Sequence, residues 1–195
     1  MYFFTSDEHY YHSNIIKYCN RPFADVQEMN DFIISQNNAV VKNGDTVIHC
    51  GDTYLGNIHS NAFDRIIAKL NGGHIFINGS HDRWKSDHFQ RHYGYMEFEI
   101  EGQIIVCSHY PMLSWPKSHY GSWHLFGHWH SRKQQLLPIE FDGNNAVATI
   151  VGNSKMLEVS VDGHNFTPWS FAEIKEVMDK KPGYFVKNKG ERKCR

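Results

Sequence analysis

Cysteine is scarce and scattered in this chain. Its 195 residues include four, Cys19, Cys50, Cys107 and Cys194, and none belongs to a Cys-x-x-Cys pair. That argues against a disulfide framework or a cysteine zinc knuckle, and the residues read as reduced thiols of a cytoplasmic protein. Long apolar runs are missing too. Nothing approaches the roughly 20 residues that cross a bilayer, so no membrane partner is expected. Neither sign of charge dominates, the formal net being −1, which removes any global electrostatic case for a nucleic-acid or lipid surface. Met1-Tyr2-Phe3-Phe4-Thr5 has no basic region and no cleavage site, so it reads as a first strand and not as a signal peptide. Internal repeats, linkers and low-complexity tracts are absent, and the oligomeric state is left open.

What is present is an ordinary globular composition, 41% hydrophobic and 21% charged, at a length that suits one domain with its own core. We assign that domain to residues 1–185 and expect the basic stretch 186–195 to fray. Apolar Val26, Met29, Phe32, Ile33 and Val40 predict a helix over 26–40, closed by Asn43-Gly44. Thr46–Cys50 predicts a buried strand. Ala62, Phe63, Ile66, Ile67 and Leu70 predict a second helix, ended by Asn71-Gly72-Gly73, and His74–Ile77 the next strand. This β-α-β-α-β alternation implies an α/β sheet that is parallel in part, with functional groups gathered beyond the strands' carboxyl ends. The second half is β-rich. Met96–Ile100 and Gln103–Cys107 form a hairpin about Glu101-Gly102, and further strands are expected at 123–126, 146–151 and 156–161. A last helix is expected at about 170–179, with Ser170 and Glu173 as a capping box.

Histidine is the residue in excess, 14 in all. Several fall in short polar stretches that mostly follow apolar runs. In an extended Asp7-Glu8-His9, residues i and i+2 share a side and reach one cation. Gly51-Asp52 ends a strand in a carboxylate whose two oxygens can bridge two cations, or that caps a turn. In Gly79-Ser80-His81-Asp82 the aspartate can orient an imidazole for proton donation, or the stretch is a polar loop. His109 follows a buried strand, as a ligand or a structural histidine. Gly127-His128-Trp129-His130, if extended, points two imidazoles to one side; the alternative is a surface loop. Asn78, just ahead of the third stretch, is an uncertain sixth member. Imidazole with carboxylate suits borderline divalent metals such as Mn, Fe or Zn. A closed structural zinc site would want cysteines or four ligands, and seven candidates are too many.

In order and spacing, Asp-x-His, Gly-Asp, Gly-x-His-Asp, His and Gly-His-x-His resemble the calcineurin-like metallophosphoesterase family, over residues 4–130. Residues 159–174 resemble its small bacterial and phage-type members. The resemblance implies a four-layer α/β/β/α sandwich of two mixed β-sheets and two divalent metal ions, from Mn, Fe, Zn or Ni with Mn favoured. By the same resemblance Asp7, His9 and His130 hold the first metal, Asp52 bridges, and His109 and His128 hold the second. His81 contacts the phosphate and protonates the leaving oxygen, and Asp82 orients it. The implied chemistry is attack of a metal-activated water on phosphorus. The family's Gly-Asn-His-Asp has Ser80 in place of its ligating asparagine, which implies a weak or lost ligand and reduced affinity at the second site.

The loops are short and no cap domain is evident, so the expected site is open, suited to a phosphodiester or to a phosphate on a larger molecule. Tyr10, Tyr11, Tyr54, Trp84, Tyr110, Trp115, Trp123 and Trp129 crowd the motif loops. They are platforms for bases of a nucleotide or nucleic acid, or else packing, the reading favoured for Trp123 and Trp129. His12, Asn14, Arg21, Arg83 and Lys85 are candidates to hold a phosphate. The competing reading is a metal-binding scaffold or interaction module of the same fold with impaired catalysis, for which Ser80 is the argument.

Overall fold

The computed structural model describes residues 1–57, 61–131, 140–141, 144–145 and 155–181. Strand β1 (Tyr2–Thr5) lies beside β2 (Thr46–His49), the middle strand of its sheet, followed by β3 (Gly73–Ile77) and the two-residue β4 (Arg91–His92), all parallel. On its other side β1 pairs antiparallel with β11 (Trp169–Ser170), so the sheet is mixed. The second sheet runs β10 (Met156–Glu158), β7 (Trp123–Phe126), β6 (Gln103–Ser108), β5 (Tyr95–Ile100). It is parallel except for the β5–β6 hairpin. A short pair, β8 (Glu140–Phe141) and β9 (Asn144–Asn145), stands apart from both.

Apolar residues sort onto the sheet faces by the two-residue strand period. Phe4, Ile48, Cys50 and Ile77 of the first sheet meet Ile105, Cys107 and Leu125 of the second, joined by Ile174 and Met178 of helix α4 (Phe171–Lys180). Each such side chain contributes about 1.5–3 kcal/mol by leaving water. The first sheet's other face is covered by α2 (Val26–Val40) and α3 (Ala62–Ile67), through Met29, Ile33, Phe63 and Ile66. On the second sheet's other face Val106, Phe126 and Met156 pack with Trp115, Met112 and Trp129. The fold is the expected α/β sandwich of two mixed sheets with helices.

Helix ends follow local chemistry. The Asp25 carboxylate accepts the Gln27 and Glu28 N–H groups to open α2, and the Ser170–Glu173 capping box opens α4. The helix at Ala62 stops at Ile67, short of Leu70, and the strand expected over 156–161 ends at Glu158 before a 3₁₀ turn at Val161–Gly163. Helix α1 (Ser13–Tyr18) was not legible: it has six residues and buries only Ile15, too short a period to read. The strand expected at 146–151, the domain end beyond 181, the basic tail and Cys194 lie outside the described residues. Among the described residues no helix is long and apolar enough to cross a membrane.

This topology positions the site. Asp7, Asp52 and Gly79 follow the carboxyl ends of β1, β2 and β3; His109 and His128 follow those of β6 and β7. Backbone bonds tie these ends together: Asp7 N–H to Gly51 C=O, His9 N–H to Asp52 C=O and Gly127 N–H to His109 C=O, each at 3.0 Å. The C-terminal segment joins through Val161 N–H to Ser6 C=O at 3.0 Å.

Candidate metal centre

Asp7, His9, Asp52, His128 and His130 have φ of 58°, 54°, 54°, 77° and 50°. These are left-handed backbones, rare for residues with a Cβ and concentrated at functional sites. The extended geometry expected for Asp7-Glu8-His9 and for His128-Trp129-His130 is therefore corrected. The strands end before these residues, and the chain turns left-handed at each to aim a side chain inward. Glycines allow the close approach: a Cβ on Gly127 would lie 2.5 Å from Asp7 Oδ2, and one on Gly51 2.6 Å from His109 Nδ1.

The side chains converge as two adjoining groups with metal-ligand composition, Asp7–His9–His130 and Asp52–His109–His128. Asp52 lies between them, its Oδ2 3.7 Å from His9 Nε2 and 3.3 Å from His109 Nε2. Asp7 Oδ1 is 3.7 Å from His130 Nε2. Three imidazoles are gripped through Nδ1. His109 Nδ1–H donates to Cys50 C=O at 3.1 Å, His130 Nδ1–H donates to Asp162 at 2.8 Å, and His9 Nδ1 shares a hydrogen bond with His12 Nδ1 at 3.1 Å. That leaves Nε2 facing the carboxylates, and the Nε2 atoms of His9 and His109 are buried without hydrogen-bond partners. Orphaned imidazole nitrogens beside buried carboxylates fit divalent cations of the Mn, Fe, Zn group.

Electrostatics follow from this crowding. Burial drives the His9 imidazolium well below its usual range, and holds that of His128 down with help from His109. Burial also raises the Asp7 carboxyl. It works against ionised Asp52 as well, but His109, the His81 N–H and His9 outweigh it and lower that group. At His109 burial opposes the charge and the Asp52 carboxylate restores it, for a net rise. At His130 the same opposition is overcome by Asp162, Cys19 and Asp7, which push the imidazolium up to about 10.

Asp162, missed by the sequence reading, anchors a support beneath the centre. It accepts from Arg21 Nε and Nη2, both at 2.8 Å, as well as from His130. Arg21 also donates to Asp7 C=O at 2.7 Å and Glu8 C=O at 3.0 Å. The only early signal was the family-like stretch around Asp162, which carried no assigned role. Arg21 is buried, so its place among phosphate-holding residues is corrected: its donors are spent on the protein. Also unforeseen is a buried chain behind the site, in which His49 Nδ1–H donates to Glu8 at 2.6 Å and His49 Nε2 meets His74 Nδ1 at 3.0 Å.

Other expected residues divide. The His81 ring is exposed, 5.4 Å centroid to centroid from His9, and hydrogen-bonds to nothing among the described residues. Asp82 does not orient it. The Asp82 carboxylate accepts four donors instead: the N–H groups of Asp52, Gly79 and Tyr54 and the Trp84 indole. Ser80 Oγ–H donates to Asp52 Oδ2 at 3.0 Å, so it touches the second group through the carboxylate. Asn78 is held by Arg91 and by Gly79 C=O and turns no oxygen to the centre. His12 lines the cleft over the first group, and Arg83 a second cleft beside His109. Asn14 and Lys85 line neither and are exposed. Of the aromatics, Tyr10, Tyr54, Trp84, Trp115 and Trp123 are buried, which removes them as stacking surfaces.

No protein-family model matches the chain. The crystal structure of AQ665 from Aquifex aeolicus, a protein of unknown function, aligns with a TM-score of 0.63 and 24% identity, over 91% of this chain and 98% of that one, a likeness of fold. A conserved uncharacterized protein from Streptococcus pneumoniae TIGR4, described as a "predicted phosphoesterase", aligns with a TM-score of 0.40 and 15% identity over 82% of this chain and 70% of that one. The uncharacterized protein MJ1445 of Methanocaldococcus jannaschii is 32% identical over 178 residues, 91% of each chain. With that identity along nearly the whole length of both, the chain belongs to the MJ1445 family.

Proposed function

We propose that the protein is a dinuclear metal-dependent phosphoesterase of the calcineurin-like superfamily, acting on phosphodiesters. The observation that carries this is Asp52, whose buried carboxylate lies between two imidazole groups and within 3.7 Å of an orphaned Nε2 from each. Asp7, His9 and His130 would hold one divalent ion and His109 and His128 another, with Asp52 common to both. Such a pair supplies Lewis acidity and a water acidic enough to be nucleophilic near neutral pH. Manganese is the first metal to try.

The chain's own residues do the rest. His81, exposed at the mouth with an uncommitted ring, gives the leaving oxygen its proton. Asp82 takes a positioning role: by accepting the Asp52 and Gly79 N–H groups it locks the two motif loops together. Arg21 and Asp162 fix the Asp7 loop and the His130 ring. The test is hydrolysis of bis(p-nitrophenyl) phosphate with Mn²⁺. We expect turnover that EDTA removes and that His81→Ala lowers by about a hundredfold, the usual worth of a general acid. Absence of metal-dependent turnover would leave the second reading, a scaffold with impaired catalysis. Ser80 favours it, since its hydroxyl is spent on Asp52 where an amide oxygen would face a cation.

A further inference from the structure

Two clefts reach the metal-ligand groups and, among the described residues, share no lining residue. One, about 510 Å³, is lined by His9, His12, Ile15, Tyr18, Cys19, Asp52, His81, His128 and His130. The other, about 590 Å³, is lined by His109, Ser80 and Asn78, then Arg83, Tyr110 and Met112 among others. A phosphate monoester has one organic group to house. Two clefts of similar volume at one centre suit a phosphorus that carries two.

Their chemistry differs. The His81 ring lines the first cleft, so the oxygen it protonates belongs to the arm lying there. Among the described residues Arg83 is the only Lys or Arg lining the second cleft, and no carboxylate lines it. Its guanidinium touches only Asp82 C=O, at 3.3 Å, and makes no salt bridge among the described residues, in contrast to the fully committed Arg21. Tyr110 is 52% exposed although it sits on the centre, with ring centroids 4.9 Å from His109 and 4.5 Å from His128. An exposed ring set against two imidazoles is a stacking surface, and a guanidinium without a carboxylate is an anion receptor.

Building on the phosphoesterase reading above, we propose that the substrate is a phosphodiester with two unlike arms. The leaving arm lies in the His12–Tyr18–His81 cleft. The retained arm carries a planar ring against Tyr110 and a second phosphate on Arg83. In hydrolysis the water oxygen forms the new P–O bond and the P–O bond to the leaving arm breaks. His81 gives that oxygen its proton, and the proton lost by water restores His81.

Two p-nitrophenyl diesters with the same leaving group test the assignment: the ester of thymidine 5′-phosphate, and the same compound with an added 3′-phosphate. With Mn²⁺ the 3′-phosphate should raise kcat/KM about tenfold, mostly through KM, as expected for a charge-assisted bond. In Arg83→Gln the ratio between the two diesters should fall towards one, whatever happens to the absolute rates. A wild-type ratio of one or less, or a ratio that Arg83→Gln leaves intact, overturns the subsite while the phosphoesterase reading stands. Failure of both diesters and of bis(p-nitrophenyl) phosphate overturns that reading and the subsite with it.

Discussion

Asp162 Oδ2 accepts the Nδ1–H of His130 at 2.8 Å, and the same carboxylate is clasped by Arg21. The bond turns His130 Nε2 towards Asp7, joining a residue near the end of the described chain to a loop near its start. Supports of this kind typically govern metal affinity by about ten- to a hundredfold. Asp162→Asn should therefore weaken binding at one of two sites by that factor in a calorimetric titration with Mn²⁺, leaving the other site unchanged. An unaltered isotherm would remove Asp162 from the centre.

Ser80 predicts the opposite change at the other group. Ser80→Asn places an amide oxygen beside Asp52 and His109, and should tighten the weaker of the two sites several-fold and raise kcat. Unchanged stoichiometry, affinity and rate would show that the serine costs the second site nothing.

Asp82 predicts a loss of stability. Its carboxylate accepts three backbone N–H groups and one indole in the interior. Asp82→Ala strands them, and the expected loss is about 3–5 kcal/mol in urea unfolding. A loss under about 1 kcal/mol would show that the loops hold without it.

His124 sets an acid limit. It is buried, donates from Nδ1 to Val106 C=O and accepts the Met112 N–H at Nε2, and burial lowers its pKa from 6.5 to about 4. Below pH 6.5 the unfolded chain takes up a proton that the folded one refuses until about pH 4. Stability from this group is thus complete above the upper value and falls with pH down to the lower one, by roughly 3 kcal/mol. An NMR titration showing the His124 ring protonating near pH 6.5 would contradict this.

The sequence was informative where signals are local and repetitive. Helix α2, the β5–β6 hairpin and the capping box at Ser170 follow from apolar period, turn residues and a fixed spacing. The convergence of Asp7, His9, Asp52, His109, His128 and His130 followed from motif order, since each sits at a strand end. The backbone that achieves it was not legible, because left-handed φ at Asp7 or His130 leaves no trace in polarity. Nor was the fate of Arg21, Asn14 and Asp82. A charged residue near a motif looks the same in sequence whether it faces solvent or carries an interior network such as Arg21–Asp162.

Left-handed φ at five of the candidate ligand residues also bears on durability. Each such backbone holds roughly 1 kcal/mol or more in tension that glycine does not feel. At position 128 the imidazole makes no hydrogen bond among the described residues, so His128→Gly gives up its ring contacts with His109 and Tyr110 but relaxes the turn, offset in part by a floppier unfolded chain. The protein should withstand heating at least as well without that imidazole, and bind metal less well. Robustness and reactivity pull apart at a single Cα, and the native residue there sits on the side of reactivity.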